Sequence, residues 1–341
     1  SGGNYNTVVG DEAGTAITTG DYNVAVGFDA GSELTTGSEN ILIGGKAGDA
    51  LTTASGNLAI GRASLTSDTL GSASTAIGFQ TLQNQNFTSA TSTYNVAVGY
   101  QAGSSVTTGT SNTLIGGLAG DATTTGSNNT AVGSQSLGAN TTGGSNVAVG
   151  LASLATNTTA SENTALGFAS LNLNTTGAGN TATGFFALAA NTTGANNVAN
   201  GYKALLSNTT ASNNTAQGYF ALAANTTGAS NVAVGYASLA GNTTASNNTA
   251  VGHSALNANT SGTQNTAVGK GALDANTTAS NNSAFGYNAL GSNTTGASNV
   301  ALGQFSLDAN TTGGSNTALG HNALTGNTTA SNNTAVGKDA L

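Results

Sequence analysis

Side chains able to do acid–base or metal chemistry are few in this chain of 341 residues, which has two His, 13 acidic residues, five cations and no Cys. His253 and His321 lie four units of a 17-residue repeat apart. Stacked repeats rise by the inter-strand spacing, so the two imidazoles are separated by roughly 20 Å, too far for one general acid–base site. We therefore predict that the protein is not an enzyme and needs no cofactor.

Acidic residues crowd the N-terminal part of the chain, where nine of the 13 lie at or before Asp121. Asp11, Glu12, Asp21 and Asp29 could meet across adjacent repeats as oxygen ligands for Ca²⁺. The sequence has no Asp-x-Asp-x-Asp loop and no Gly-Gly-x-Gly-x-Asp repeat to accompany them. We therefore favour a solvated acidic face and predict no metal site.

Charge also limits the partners. The net charge is −8, and the cations are single and scattered, at Lys46, Arg62, Lys203, Lys270 and Lys338. Nucleic acids and anionic membranes are recognised by clustered cations, so neither is an expected partner. No apolar run approaches the ~18 residues of a membrane span, and the sequence opens without a signal peptide, so we expect no membrane insertion.

A 17-residue repeat organises the whole chain. With the Asn of Asn-Thr-Ala-Val-Gly as position 1, copies begin at Asn6 and recur to Asn333. The one irregular spacing, from Ser74 to Asn95, places four extra residues within 83–94. Position 5 is Gly in all twenty copies, which predicts a backbone requirement that no side chain satisfies.

Each repeat carries the signals of short strands. Positions 2 to 4, typically Thr/Val-Ala-Val/Ile, alternate in size before the Gly and predict one strand. Positions 8 and 9, typically Ala/Ser-Leu, predict a second extended segment, and an Asn-Thr-Thr-Gly/Ala tract predicts a turn. Because so short a unit cannot bury its own apolar face, consecutive units must stack. The predicted fold is all-β, a parallel β-solenoid of about twenty 17-residue coils.

The large side chain of a coil is found at either position 9 or position 12. Where position 9 is Gly, position 12 is apolar, as in Gly31 with Leu34, except in one coil, where Gly120 is paired with Thr123. Where position 9 is Leu, position 12 is polar, as in Leu65 with Asp68. One bulky group per coil is therefore expected, supplied by either column. We infer that position 12 points inward.

Asn-Thr-Thr/Ser sequons fill position 12 in the later coils. They could be N-glycosylation acceptors. An inward column instead favours a ladder of amides that hydrogen-bond from coil to coil. The twelve ladder residues are Asn140, Asn157, Asn174, Asn191, Asn208, Asn225, Asn242, Asn259, Asn276, Asn293, Asn310 and Asn327. We accordingly divide the chain into a more acidic segment, 1–128, which contains the insertion, and a regular segment with the Asn ladder, 129–341.

Aromatic side chains form the first candidate binding site. They occupy position 6 of five successive coils, joined by two at position 7: Phe168, Phe185, Tyr202, Tyr219, Tyr236, Phe186 and Phe220. An exposed stripe would offer flat ring faces to sugars or to an apolar partner. The alternative, which we favour, is that the rings stack on one another and repack a contact between chains.

Two further surfaces are weaker candidates. The insertion brings Phe87 into a loop that leaves the repeat, and loops on rigid scaffolds commonly carry recognition, although simple length variation is the favoured explanation. Thr columns at positions 13 and 14 suggest ice binding, but adjacent threonines point to opposite sides, so only one column would be exposed.

The motif Asn-Thr/Val-Ala-Val/Ile-Gly followed by x-x-Ala/Ser-Leu resembles the head repeats of trimeric autotransporter adhesins. It is still more similar to the Asn-Thr-Ala-x-Gly-x-x-Ala-Leu arrays of bacterial surface proteins and phage tail-fibre-like proteins. The resemblance covers Asn6 to Leu341. It implies a fibre of three parallel, intertwined or packed copies that attaches to surfaces or host cells, through glycans or a receptor, outside the cell or on a virion, without catalysis.

The repeat of this chain is longer than that of autotransporter heads. The resemblance therefore does not predict how three chains would be arranged. Neither end carries a polar capping segment. We expect a piece of a longer shaft, or alternatively coils that stack end to end into a filament.

Overall fold

The computed structural model describes residues 3 to 341, which form strands and turns with no helix in that range. No part of this described range is therefore an apolar helix long enough to cross a bilayer. The chain divides into two compact units, an N-terminal unit that ends at Thr176 and a C-terminal unit that begins at Gly177. The division by composition at residue 128 stays a prediction.

The N-terminal unit is a parallel stack of three-residue strands, with one additional pair of two-residue strands. Each long strand pairs with the equivalent strand of the next coil, as in Thr113 with Thr130. The strands are β1 Thr7–Val9, β2 Val24–Val26, β3 Ile41–Ile43, β4 Leu58–Ile60, β5 Gly71–Ser72, β6 Thr75–Ile77, β7 Thr91–Ser92, β8 Val96–Val98, β9 Thr113–Ile115, β10 Thr130–Val132, β11 Val147–Val149 and β12 Thr164–Leu166.

The C-terminal unit repeats the same arrangement without interruption, and again each strand pairs in parallel with the equivalent strand of the following coil, as in Thr249 with Thr266. Its strands are β13 Thr181–Thr183, β14 Val198–Asn200, β15 Thr215–Gln217, β16 Val232–Val234, β17 Thr249–Val251, β18 Thr266–Val268, β19 Ser283–Phe285, β20 Val300–Leu302, β21 Thr317–Leu319 and β22 Thr334–Val336. The predicted all-β parallel β-solenoid with a 17-residue repeat is confirmed.

The strands present opposite faces to the core and to the outside. Position 3, usually Ala, is fully buried, as at Ala131 and Ala250. Positions 2 and 4 lie on the outer face and are half-buried or exposed. The larger β-branched side chains therefore cover the outside of the sheet, and a small methyl lines the inside.

The predicted second extended segment at positions 8 and 9 is wrong, because these residues form a turn. Leu137 and Leu154, both at position 9, have φ of 54° and 51°, in the left-handed region. That conformation costs about 1 kcal/mol for a residue with a Cβ. Both side chains are fully buried, which contributes about 2 kcal/mol and offsets the cost.

The core is filled by three columns rather than two. Leu42, at position 3, and Leu51, at position 12, are both fully buried in one coil, so the expectation of one bulky group per coil is wrong there. A Cβ on Gly31 or Gly48 would lie 2.6 or 2.8 Å from Leu42. Glycine at position 9 thus makes room for a large side chain at position 3 as well as at position 12.

Candidate functional site

A column of stacked rings runs along the outside of the C-terminal unit. It occupies position 6, directly after the Gly that follows each strand. Its members therefore lie one above another at the spacing between successive coils. We call it the aromatic ladder, and its members are Phe185, Tyr202, Tyr219, Tyr236 and His253. Consecutive ring centroids are 5.4, 5.0, 5.3 and 4.9 Å apart, with planes 4°, 10°, 2° and 16° from parallel.

The ladder is flanked at position 7. Phe186 packs edge-on against Phe185 at 4.6 Å, and Phe220 does the same against Tyr219 at 4.6 Å. The Nζ of Lys203 lies 5.2 Å from the centroid of Tyr202 and 5.6 Å from that of Phe220. One cation therefore lies beside the second ring of the ladder and close to the flanking ring of Phe220.

Stacking decides which part of each ring meets solvent. Tyr202, Tyr219 and Tyr236 each have a ring stacked on both faces, so their faces are covered. Their exposed fractions of 38%, 44% and 52% must come mainly from ring edges and hydroxyl groups. The flat faces expected from the sequence are therefore not presented, and the geometry is that of the self-stacking alternative. Phe168 belongs to the N-terminal unit, where it is exposed.

Amide side chains accompany the ladder on the outer face of the sheet. Position 4 is Thr183, Asn200 and Gln217 in β13 to β15, and the two amides are exposed. In β16 to β22 the same position is Val, Phe or Leu. Polar groups replace the apolar column only on coils that carry the ladder.

The twelve Asn residues of position 12 lie inside each unit as two runs. In the N-terminal unit, Asn157 Nδ2 donates to Asn140 Oδ1 at 2.9 Å and to the Ala160 carbonyl at 2.9 Å. In the C-terminal unit, Asn208 Nδ2 donates to Asn191 Oδ1 at 2.8 Å. The members from Asn140 to Asn310 are fully buried, so the amide nitrogens are not open to a glycan.

A second amide ladder was not anticipated from the sequence. Position 1, used only to mark the repeat, is also buried, and Asn40 Nδ2 donates to Asn23 Oδ1 at 3.1 Å and to the Ala54 carbonyl at 3.0 Å. The Asn40 backbone N–H donates to the same Oδ1 at 3.0 Å. The recurrence of Asn at the start of nearly every strand is the signal that could have revealed it.

Phe87 does not belong to a binding surface. Its side chain is 6% exposed, and its backbone N–H donates to the buried Asp68 carboxylate at 3.1 Å. Gln85 Nε2 donates to the same carboxylate at 2.6 Å. The inserted coil turns Phe87 into the core because these buried polar groups hold its backbone, whereas Asn84, Asn86, residues 88–90, Ser92 and Tyr94 are exposed.

The N-terminal acidic face is open to solvent. Lys46 Nζ lies 3.5 Å from Asp29 and 3.8 Å from Asp49. A hydrogen bond to the Asp29 carboxyl, with repulsion from Asp29 and Asp11, raises the pKa of Glu12. Within residues 3–341, no group of three or more His, Asp or Glu is arranged to hold a metal ion.

The histidines and threonines make contacts within the fold. His253 ends the aromatic ladder, and His321 Nδ1 lies 3.8 Å from Asp339. At position 13, Thr141 Oγ1 donates to the Thr158 carbonyl at 3.0 Å. Thr142, at position 14, is exposed, so a single Thr column faces solvent there.

No protein-family model matches the chain, and no curated protein matches it. The resemblance to adhesin and tail-fibre repeats therefore stays a prediction that rests on the repeat motif. The surfaces described above carry the functional inference.

Proposed function

We propose that the chain is the non-catalytic shaft of an extracellular or virion fibre, in which three parallel copies associate and attach the fibre to surfaces or host cells. The observation that carries the proposal is the outer face of the sheet. Parallel sheets in proteins normally have both faces covered. Here each unit covers one face with its own turns and leaves the other open, and in the N-terminal unit that open face is apolar at position 4 throughout.

The open face is longest in the N-terminal unit. There position 4 is aliphatic in every coil, and Ile115 is 38% exposed although it is central. The column consists of Val9, Val26, Ile43, Ile60, Ile77, Val98, Ile115, Val132, Val149 and Leu166. An apolar column of this length is typical of a surface that another protein chain covers.

A second copy of the chain fits this face because its column has the same period. In a parallel arrangement, each aliphatic position 4 side chain of the N-terminal unit would meet an equivalent side chain at the same height. Three copies around one axis close the assembly, so no column is left open. Rigidity would come from the hydrogen-bond ladders of each unit, which suit a load-bearing shaft.

Light scattering of two matched variants tests the proposal. Ile43→Asp with Ile115→Asp adds two carboxylates to the open face, and Thr36→Asp with Thr108→Asp adds two to the exposed position 14 column. We expect the first variant to remain folded but to fall to the 32.6 kDa of one chain, because six buried carboxylates would oppose a trimer. The Thr variant should keep the mass of the unsubstituted protein. An Ile variant that keeps that mass as well would contradict the proposed interface.

A further inference from the structure

We propose that the aromatic ladder binds an acidic polysaccharide, a linear chain of carboxylate-bearing sugars that lies along the direction in which the coils stack. This inference rests on the proposed function, since a surface-attaching fibre requires a ligand on its exposed side. It names the chemical class of that ligand from the C-terminal unit alone.

The orientation of the rings favours a negatively charged ligand. An aromatic ring carries partial negative charge on its faces and partial positive charge at its edge. The faces of Tyr202, Tyr219 and Tyr236 are covered by their neighbours, so the ladder presents edges. The three tyrosines also bring hydroxyl groups, which can donate hydrogen bonds to carboxylates or sugar hydroxyls. The surface therefore favours negative charge in its ligand.

Charge is unevenly distributed along the chain. The whole chain has a net charge of −8, yet residues 163–273 contain no Asp or Glu. The ladder lies entirely within this range, and Lys203 and Lys270 are the only charged side chains there. Lys203 is held beside Tyr202, so a carboxylate that reaches the ladder meets a cation and no repelling acid from the same coils.

The apolar column at position 4 is interrupted in the coils of Tyr202 and Tyr219. Asn200 and Gln217 replace aliphatic residues at position 4, two residues before Tyr202 and Tyr219, and are exposed. Burying these amides against the apolar column of another chain would leave their polar atoms without partners, which is costly. Left in solvent, they supply hydrogen-bond donors and acceptors of the kind that sugar hydroxyls require.

The ladder also has the length of an oligosaccharide rather than of a single sugar. Its five rings span four coil steps, roughly 19 Å at the inter-strand spacing. Because the ring edges, the Lys203 ammonium and the amides lie along one direction, an extended polymer could contact all of them. A compact monosaccharide would reach only one or two coils.

Isothermal titration calorimetry of the full chain tests this inference with two probes that differ only in charge. The probes are a β-1,4-linked hexamannuronate and mannohexaose, the neutral equivalent. We expect hexamannuronate to bind about tenfold more tightly, and the difference to shrink at high ionic strength. Lys203→Gln and Tyr219→Ala should each weaken hexamannuronate binding about fivefold or more, because each removes a contact to the ligand's charge or hydroxyls.

The chain offers a matched control. Tyr5 and Tyr22 form a stacked pair in the N-terminal unit, with centroids 5.0 Å apart, in a range that contains Asp11, Glu12 and Asp21. Tyr22→Ala should therefore leave hexamannuronate binding unchanged. Thermal unfolding of each variant checks folding, and Lys203→Gln carries the test alone if Tyr219→Ala does not fold.

Three results would overturn the inference: no binding of hexamannuronate, equal binding of mannohexaose, or unchanged binding by Lys203→Gln and Tyr219→Ala. Measuring mass on the same samples separates the two proposals. Lost binding with an intact trimer contradicts the acidic ligand only. Intact binding by a single chain contradicts the trimeric shaft only.

Discussion

At the scale of single residues, the glycine of position 5 is the feature without which the coils could not stack. Gly116 has φ of 132°, a conformation that residues with a Cβ rarely adopt. A Cβ there would also lie 2.6 Å from the Gly133 carbonyl oxygen of the next coil. The sequence predicts a backbone requirement at this position, and the structure confirms it with two separate reasons.

Adjacent glycines provide a matched test. We expect Gly116→Ala to lower the free energy of unfolding by about 3 kcal/mol or more, from backbone strain and the clash with Gly133. Gly117→Ala should change it by less than about 0.5 kcal/mol, since nothing lies within 4 Å of its Cβ position. Urea denaturation of both variants measures the difference. Equal losses of unfolding free energy in the two variants would show that close stacking of the coils does not exclude a side chain at position 5.

The buried Asn ladder gives a second prediction at this scale. Asn208 Nδ2 donates to Asn191 Oδ1 and to the Ala211 carbonyl at 3.0 Å, and Asn208 Oδ1 accepts from Asn225 Nδ2 at 2.9 Å. Asn208→Ala would leave three buried groups without these partners. We expect a loss of about 2–4 kcal/mol, seen as faster amide exchange in the flanking coils.

The control for this variant is two residues away. Thr210, at position 14, is exposed, so Thr210→Ala should leave exchange in the same coils nearly unchanged. Wild-type protection in Asn208→Ala would mean that the ladder contributes little to stability. Peptide mass mapping adds an independent check, because a glycan on most ladder residues is incompatible with their burial.

At the scale of elements, the turn after position 9 links stability to pH. Asp121, Asp274 and Asp308 all occupy position 10, and burial raises the pKa of each. A carboxyl whose pKa is higher in the folded state binds more protons folded than unfolded. Its contribution to stability is therefore present below the ordinary aspartate pKa of about 3.9 and is lost as pH rises through the raised value.

Replacing the three acids with Asn should remove this loss. We expect the triple variant to melt at a higher temperature than the wild type at pH 7, and the gap to close as the pH is lowered towards 3.5, because the wild-type carboxyls are then protonated. Differential scanning calorimetry at several pH values measures the gap. A gap that widens on acidification would contradict the sign of the pKa shifts.

Elements also show what the sequence could and could not predict. Positions 2 to 4 were identifiable as strands because size alternates there before a Gly. The turn at position 9 was missed because Leu is typical of helices and strands, whereas Leu137 is left-handed. Gly at the same column, as in Gly14 and Gly103, was the available signal for a left-handed turn.

The candidate site was predictable in membership but not in geometry. The period of the repeat places Tyr202 above Tyr219 whatever the details of the coil. Whether their faces or edges meet solvent depends on ring tilt, which no spacing encodes. The inward position of Phe87 is likewise not encoded by the spacing of the repeat. It depends on the buried Asp68 and Gln85, which differ from the residues at the equivalent positions of other coils.

At the scale of the whole molecule, the proposed trimer is held together along an open sheet face. Each unit pairs its buried Asn side chains through coil-to-coil ladders, and the N-terminal unit has an aliphatic side chain at position 4 of every coil. A solvated single chain would have to keep that column in water. Covering it with two equivalent chains removes the apolar surface and brings both faces of the parallel sheet into contact with protein.

Mass photometry of the unsubstituted chain over a wide range of dilution tests this claim most directly. Three chains of 32.6 kDa predict one species of about 98 kDa, unchanged on dilution because the interface is long and apolar. A species of 32.6 kDa that accounts for the sample, or an open-ended series of multiples of that mass, would contradict the trimeric shaft.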